Sequence, residues 1–450
     1  MSRLFVPSPR GPVHLDEVGE ETRFEPWSAT TGFRPVASVG GVPLMDIVER
    51  FGTPAYVVDE ADVRGRCRAW RTALPDADIL YAAKAFLCRA MATWIRQEGL
   101  GLDVCSGGEL AIARSVGFPA ERIVFHGNAK TPHELAEAVE HGVGRIVVDN
   151  LAEIPRLAML VQPGRRQKVL LRIIPDVEAG AHAAIRTGGQ DQKFGLSLDS
   201  GEAGAAVARV LRQPELRLVG LHCHIGSQIR TTEPYERAVR IMAEQLAAIR
   251  DTYGIVLPQL DLGGGMGIAY LAAEQGLTPD AYATAVTKAL QERCAALDLP
   301  VPRLTVEPGR SISGPAGLTL YRVIAVKRTL TRTFVAVDGG MSDNPRPSLY
   351  GARYTARLIG RRSARIDRRV TLVGHHCEAG DVIAEDVPLP SDIKPGDVIV
   401  VPATGAYHHS MASTYNLTGR PPVVAVADGA ARLVVRREEI DDLLRRDVGL

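Results

Sequence analysis

Eight short runs of apolar and β-branched residues alternate with helical segments between residues 79 and 307, and this alternation constrains the fold more than any other feature. The runs are Ile79–Lys84, Leu102–Cys105, Ile123–His126, Ile146–Asp149, Val169–Ile174, Leu218–His224, Gln259–Leu262 and Leu304–Glu307. Helical patterns occupy 87–98, 108–116, 132–141, 152–161, 202–212, 232–252 and 279–297. Eight strands alternating with helices over about 230 residues predict a parallel (β/α)8 barrel, an α/β barrel of the TIM type. An open doubly wound sheet is the rival, but no GxGxxG stands at a first strand-to-helix turn to support it.

The flanks differ in texture. Residues 1–42 are rich in Pro, Gly and Thr without a helical period, and read as loop and short strands docked on another element. A short amphipathic helix at 44–51, a strand at 55–58 and a helix at 60–74 lead into the repeat. Beyond Ser311 the pieces are strand-like: 318–325, 334–336, 370–373, 398–401, 423–426 and 432–436, with one obvious helix near 438–446. At 450 residues the chain exceeds one ordinary core. The expected organisation is an N-terminal segment, 1–50, completing a β domain, a barrel at 51–310, and a β domain (sandwich or small barrel) at 311–450.

A barrel carries its chemistry where the strands end at the C-terminal mouth. Those ends are Lys84, Asp103, His126, Asp149, Arg172, His224, Gly263-Gly264-Gly265, and Glu307 with Arg310. The chain has seven lysines against 46 arginines, so a lysine closing a buried strand reads as a chemical choice. Burial is expected to strip its hydration and lower its pKa, leaving a nucleophilic amine able to hold a carbonyl cofactor as a Schiff base. A lysine paired with a buried carboxylate is the plainer alternative. The glycine-rich connection from Pro175 to Ser200 at the mouth reads as a lid.

Two strand ends favour a phosphate. His224-Ile225-Gly226-Ser227 and Gly263-Gly264-Gly265 follow the sixth and seventh strands, where backbone N–H groups and a hydroxyl can ring an anion. The eighth strand ends Glu307-Pro308-Gly309-Arg310. A carboxylate facing a pyridine nitrogen keeps it protonated and makes the ring an electron sink, and an adjacent arginine grips a phosphate or carboxylate. With the lysine and His224, these groups describe a pyridoxal phosphate site. The β domain adds clusters at 343–350, 375–381 and 405–410. Their histidines and cysteine match neither HExxH nor paired CxxC, so no metal is expected, and Cys377 beside Glu378 suits proton transfer.

Formal net charge is +1 and no long single-sign run occurs, against a nucleic-acid or membrane-surface partner. No stretch is long enough to span a bilayer, and the N-terminus lacks a signal-peptide core. The expected location is cytoplasmic, where six scattered cysteines are free thiols.

From about Phe51 to Val426 the motifs resemble the diaminopimelate decarboxylases, within the fold-type III pyridoxal phosphate enzymes. The resemblance rests on Tyr81-Ala82-Ala83-Lys84, His224-Ile225-Gly226-Ser227-Gln228, Gly263-Gly264-Gly265, Glu307-Pro308-Gly309-Arg310, Asp338 to Asn344, Cys377-Glu378-Ala379-Gly380-Asp381 and Gly405-Ala406-Tyr407. It implies pyridoxal 5'-phosphate contacts from Lys84, Asp103, His224, Ser227, Gly264, Gly265, Glu307, Gly309, Arg310 and Tyr407. Substrate contacts are implied for Arg310, Arg346, Tyr350, Glu378 and Tyr407, with Lys84 and Cys377 as the catalytic pair. It implies an amino-acid substrate and a homodimer in which Cys377 and Glu378 reach the partner's site. Glutamate at the ring nitrogen favours decarboxylation over the racemisation of related enzymes that use arginine there. Ala379 stands where the family usually has serine, and the lid around His182 lacks the family's threonine and acidic residue. These departures leave open a paralogue acting on another diamino acid or a carrier-bound amino acid. A non-catalytic regulatory relative is a remote third reading.

Overall fold

The structure is a computed structural model, and it describes residues 26–177, 179 and 193–449. Two sheets dominate it. The first strands, β1 (Ser38–Val39) and β2 (Val42–Pro43), form a small antiparallel ladder. β3 (Ala55–Asp59) follows, and then the barrel: β4 (Asp78–Ala82), β5 (Gly101–Val104), β6 (Ile123–Phe125), β7 (Arg145–Val148), β8 (Gln167–Ile174), the two-residue β9 (Leu196–Ser197), β10 (Leu216–His222), β11 (Gln259–Asp261) and β12 (Arg303–Val306). β4 to β8 pair in sequence, β8 pairs β10, and β12 closes the ring on β4, every pairing parallel. Eight strands therefore form the closed barrel that the alternation predicts. β9 adds to the end of β8, in the connection expected to form a lid. Most of that connection, His182 included, lies outside the described residues.

Side chains alternate across a strand, so every second residue points into the barrel. That rule sorts the interior into tiers. Arg145 donates to Asp78 and Gln259, both at 3.0 Å, and Arg303 joins Asp78 at 2.7 Å, near the strand starts. A dry plug follows, of Leu80, Val124, Val147, Leu170 and Val219, none more than 3% exposed. Two residues further along most strands come polar groups, among them Asp103, His126, Arg172, His222 and Asp261, all buried. The plug gives the charged tier a low-dielectric floor.

The second sheet runs β17-β16-β14-β13-β3-β19-β20, with β18 joining β13 to β15. Its strands are β13 (Gly317–Arg328), β14 (Thr333–Val337), β15 (Arg357–Ile359), β16 (Asp367–Val373), β17 (Val382–Pro390), β18 (Val398–Pro402), β19 (Val423–Ala427) and β20 (Ala430–Val435). β3 lies between β13 and β19, so residues 55–59 belong to this sheet by their hydrogen bonds although they precede the barrel. Residues ahead of it dock there too. Ser28 and Thr30 donate to Asp59, and Leu44, Ile47 and Val48 of the helix Leu44–Phe51 are buried with Val57, Val400 and Val424. The described residues thus run from the β domain into the barrel and back to the β domain.

Candidate active site

Lys84 sits in a short turn, Ala83–Ala85, directly after β4. Its Nζ donates to Asp103 Oδ2 at 2.9 Å, and two-fifths of its side chain is open. Burial alone would lower its pKa, but Asp103, Cys105, Glu307 and Tyr407 surround the amine and hold it well above the usual lysine value. This corrects the expectation from the sequence: the amine rests as an ammonium paired with a carboxylate, and needs a proton removed before it can attack.

Glu307, 2% exposed, lies beyond β12. Its Oε1 is 2.7 Å from His126 Nε2 and its Oε2 is 3.6 Å from His222 Nε2. Burial opposes its charge, yet His126 and His222 hold it well below the usual carboxylate range, so it is an anion. His222 itself is pushed down to about 4 by burial and is neutral at pH 7. Burial, with Lys84 and Arg172 adding to it, drives His224 low as well. His224 Nδ1 accepts from the Gly264 N–H at 3.2 Å, which fixes a neutral ring with its proton on Nε2.

The loops after β10, β11 and β12 meet at Arg310. Its Nη2 donates to Ser227 Oγ at 3.0 Å, its Nη1 to the Tyr270 hydroxyl at 2.5 Å, and its guanidinium lies 4.5 Å from the Tyr407 ring centre. Its Nε is buried without a partner, as is Ser311 Oγ. Backbone crowding explains the glycines here. A Cβ on Gly264 would lie 2.3 Å from the Glu307 carbonyl oxygen, and one on Gly265, whose φ is +100°, 2.3 Å from that of Gly226. At Gly309 it would come within 2.9 Å of Ala82 Cβ. Tyr407 holds φ +62°, its amide bonded to the Ala85 carbonyl at 2.8 Å, which clamps a β-domain loop against the lysine turn. A hydroxyl and a guanidinium thus meet over closely approaching glycine backbone, groups of the kind that bind a small oxyanion.

Arg346, 5% exposed, comes from the β domain. Its guanidinium lies 4.6 Å from the Tyr270 ring centre and donates to the Tyr354 hydroxyl. Arg310 and Arg346 thus share Tyr270 as a neighbour. Tyr350, half-buried, lies one helical turn beyond Arg346 in the helix Arg346–Tyr350. Cys377, Glu378 and Ala379 are exposed. The Cys377 amide donates to Asn416 Oδ1 at 3.2 Å, so the loop is braced by its own β domain.

Three groups were not singled out in the sequence. His222 and Asp261 lie within apolar strands, and Tyr270 lies in a loop with no period. The inward alternation that exposes Glu307 would have found the first two: His222 precedes His224 by two residues, and Asp261 precedes Gly263 by two. Nothing local marks Tyr270.

Residues 60–314 match the family described as "Pyridoxal-dependent decarboxylase, pyridoxal binding domain". The diaminopimelate decarboxylase of Actinosynnema pretiosum subsp. auranticum is 56% identical over 410 residues, 91% of this chain and 92% of that one. The chain belongs to the diaminopimelate decarboxylase family. The Mycobacterium tuberculosis (H37Rv) member is 48% identical over 427 residues, covering 92% of this chain and 95% of its own. A crystal structure of the diaminopimelate decarboxylase from M. jannaschii superposes with a TM-score of 0.88 at 31% identity, covering 94% of this chain and 98% of that one. The family's pyridoxal cofactor can be tested against the groups present. An amine at a strand end, a buried anionic carboxylate, a neutral ring and the pocket around Arg310 supply a partner for its aldehyde, ring nitrogen, ring face and phosphate. The residues fit.

Proposed function

We propose that the protein decarboxylates meso-2,6-diaminopimelate to L-lysine and CO₂ with pyridoxal 5'-phosphate, as a cytoplasmic homodimer whose sites are shared across the interface. The observation that carries this is the convergence on one barrel mouth of Lys84, Glu307 and Arg310, in a chain 56% identical to a diaminopimelate decarboxylase. The cofactor ring supplies an electron sink for the pair left behind when CO₂ departs.

The residues divide the remaining work. Lys84 would hold the cofactor's aldehyde at Nζ, where Asp103 Oδ2 accepts from the free ammonium at 2.9 Å. Glu307 would keep the ring nitrogen protonated. His224, neutral and fixed by Gly264, would support the ring. Ser227, Gly264, Gly265, Gly309, Arg310 and Tyr407 bind the phosphate. Arg310, Arg346 and Tyr350 orient the substrate, the buried guanidiniums suiting its carboxylates. The exposed Cys377 delivers a proton from Sγ into the partner's site, where Glu378 meets the substrate amine. Among the described residues no helix is long and apolar enough to cross a membrane, in keeping with a biosynthetic enzyme of the cytoplasm.

Incubating the purified protein with meso-diaminopimelate and following CO₂ and L-lysine tests the reading. Borohydride should fix the yellow cofactor onto Lys84. Protein that pyridoxal phosphate cannot reconstitute, or that leaves diaminopimelate untouched, sinks it. Ala379, exposed on the Cys377 loop, keeps a second reading in play: the same chemistry on another diamino acid. Ornithine, arginine and lysine as parallel substrates separate the two.

A further inference from the structure

His126, His222, Asp261 and Glu307 each place a ligand-type atom within 4.8 Å of the others, and all four are 4% exposed or less. The mechanism above uses only Glu307. Two carboxylates this close and this dry do not both carry a charge without a cation between them. Asp261 Oδ1 is committed as acceptor to the Gly263 N–H at 2.9 Å, while its Oδ2 is buried with no aligned partner. A proton on Oδ2 directed at Glu307 satisfies both Asp261 oxygens and removes the repulsion. Glu307 differs in its neighbours: Oε1, although likewise without an aligned hydrogen bond, is 2.7 Å from His126 Nε2, and Oε2 is 3.6 Å from His222 Nε2.

We infer that Asp261 is a neutral carboxylic acid whose proton faces Glu307, and that with His126 and His222 it positions Glu307 as the anion meeting the cofactor's ring nitrogen. The inference rests on the cofactor reading above. Burial and the Glu307 charge push the Asp261 carboxyl well up, in the same direction. His126 is the nearer histidine, its Nε2 2.7 Å from Glu307 Oε1 and 3.7 Å from Asp103 Oδ1. His222 closes the other side, its ring 4.9 Å from that of His126 at 67°. Other ionisable groups acting on the network include Lys84 after β4, Cys105 after β5 with Glu109 on the helix that follows, Arg172 on β8 with Cys223 and His224 after β10, and Arg145 and Tyr282 behind Asp261. The seat therefore presents one carboxylate, Glu307, flanked by a neutral acid and two imidazoles, to the positive charge of a protonated ring. These three are positioning residues, since they act through Glu307.

The test titrates apoprotein with pyridoxal phosphate from about pH 5 to about pH 9, following the cofactor's visible absorption, in wild type and three variants. Asp261→Asn keeps the acceptor for Gly263 and places an N–H where the acid proton would be. It is expected to bind within about threefold of wild type throughout. His126→Leu removes the imidazole 2.7 Å from Oε1 that favours the Glu307 anion, so Glu307 takes up a proton more readily. Affinity is expected to drop about tenfold or more at the acidic end and recover as pH rises, moving the acidic midpoint up by about one unit. His126→Gln restores a donor and should bring the midpoint back. A loss of more than about tenfold in Asp261→Asn at every pH would make Asp261 a working anion and overturn the inference. An unshifted midpoint in folded His126→Leu overturns it equally. Should His126→Leu fail to fold, Asp261→Asn, of the same volume, decides alone. Wild-type apoprotein that takes up no cofactor overturns the cofactor reading instead.

Discussion

Lys84 Nζ and Asp103 Oδ2 are 2.9 Å apart across neighbouring barrel strands, an ion pair built into the floor of the mouth. Because the folded-state pKa of Lys84 is raised, the pair's contribution to stability is fully present below the ordinary lysine value of 10.5 and is lost only as pH rises through the higher folded value. Neutral pH leaves it intact. Replacing Asp103 with Asn removes the first of the charges that hold the amine high. The pH at which half the apoprotein's Lys84 is captured by pyridoxal phosphate, trapped with borohydride, should fall by about one unit or more. An unchanged midpoint would remove Asp103 from the control of this amine.

Arg346 touches the site through tyrosine rings, while Arg310 reaches Ser227 directly. On the proposed roles, that difference makes Arg346 a contact for the substrate alone and Arg310 one for the phosphate as well. Arg346→Lys keeps a positive charge and loses the planar fork, so KM for meso-diaminopimelate should rise about tenfold or more while the dissociation constant of pyridoxal phosphate stays within about threefold. The reverse result, weak cofactor with an unaltered KM, would reassign Arg346 to the phosphate.

The barrel was legible because inward polar groups interrupt apolar strands only near their ends, so Lys84, Asp103, His224 and Glu307 announce the mouth. The same rule reaches His222 and Asp261, which escaped because each reads as part of a strand when taken alone. β17 was missed for a physical reason. It carries Pro388, Pro390 and an exposed Glu385-Asp386 pair, and such a sequence survives as a strand only at a sheet edge, which is where it lies. β3 has the opposite difficulty: all five residues are buried, and a strand covered on both faces does not say which sheet covers it. The loops bearing Arg346, Cys377 and Tyr407 have no period, and only their motifs marked them.

Asp343 offers a measurable link between pH and the β domain. It is 1% exposed, and burial holds its carboxyl at about 7 despite donors from Tyr321 and the Gly340 amide. The folded protein keeps a proton that the unfolded chain releases from the ordinary value of 3.8 upward. Its contribution is therefore full below that value and lost as pH climbs to about 7, a fall on the order of 4 kcal/mol at most. Asp343→Asn, which cannot ionise, should flatten this part of the curve in urea unfolding. A variant that keeps the wild-type slope from pH 4 to pH 7 would place the titration elsewhere.

Cys377 and Lys84 are the two ends of the proposed reaction, and in one chain they stand on different domains. Cys377 is exposed on a loop tied down by Asn416, whose neighbours Tyr415 and Leu417 are 40% and 74% exposed. An apolar rim around an exposed thiol suits burial against a second copy related by a twofold axis. Sharing then has a quantitative consequence. Lys84→Ala and Cys377→Ala homodimers should each be nearly inactive, since one lacks the cofactor anchor and the other the proton donor. Mixed under conditions that let subunits exchange, half of the dimers are hybrids, and each hybrid contains one site with both residues intact. Activity should return to about a quarter of the wild-type value at equal mixing. It should follow the hybrid fraction as the ratio is varied. If each chain used its own Cys377, every site in the mixture would lack one residue and no activity would return.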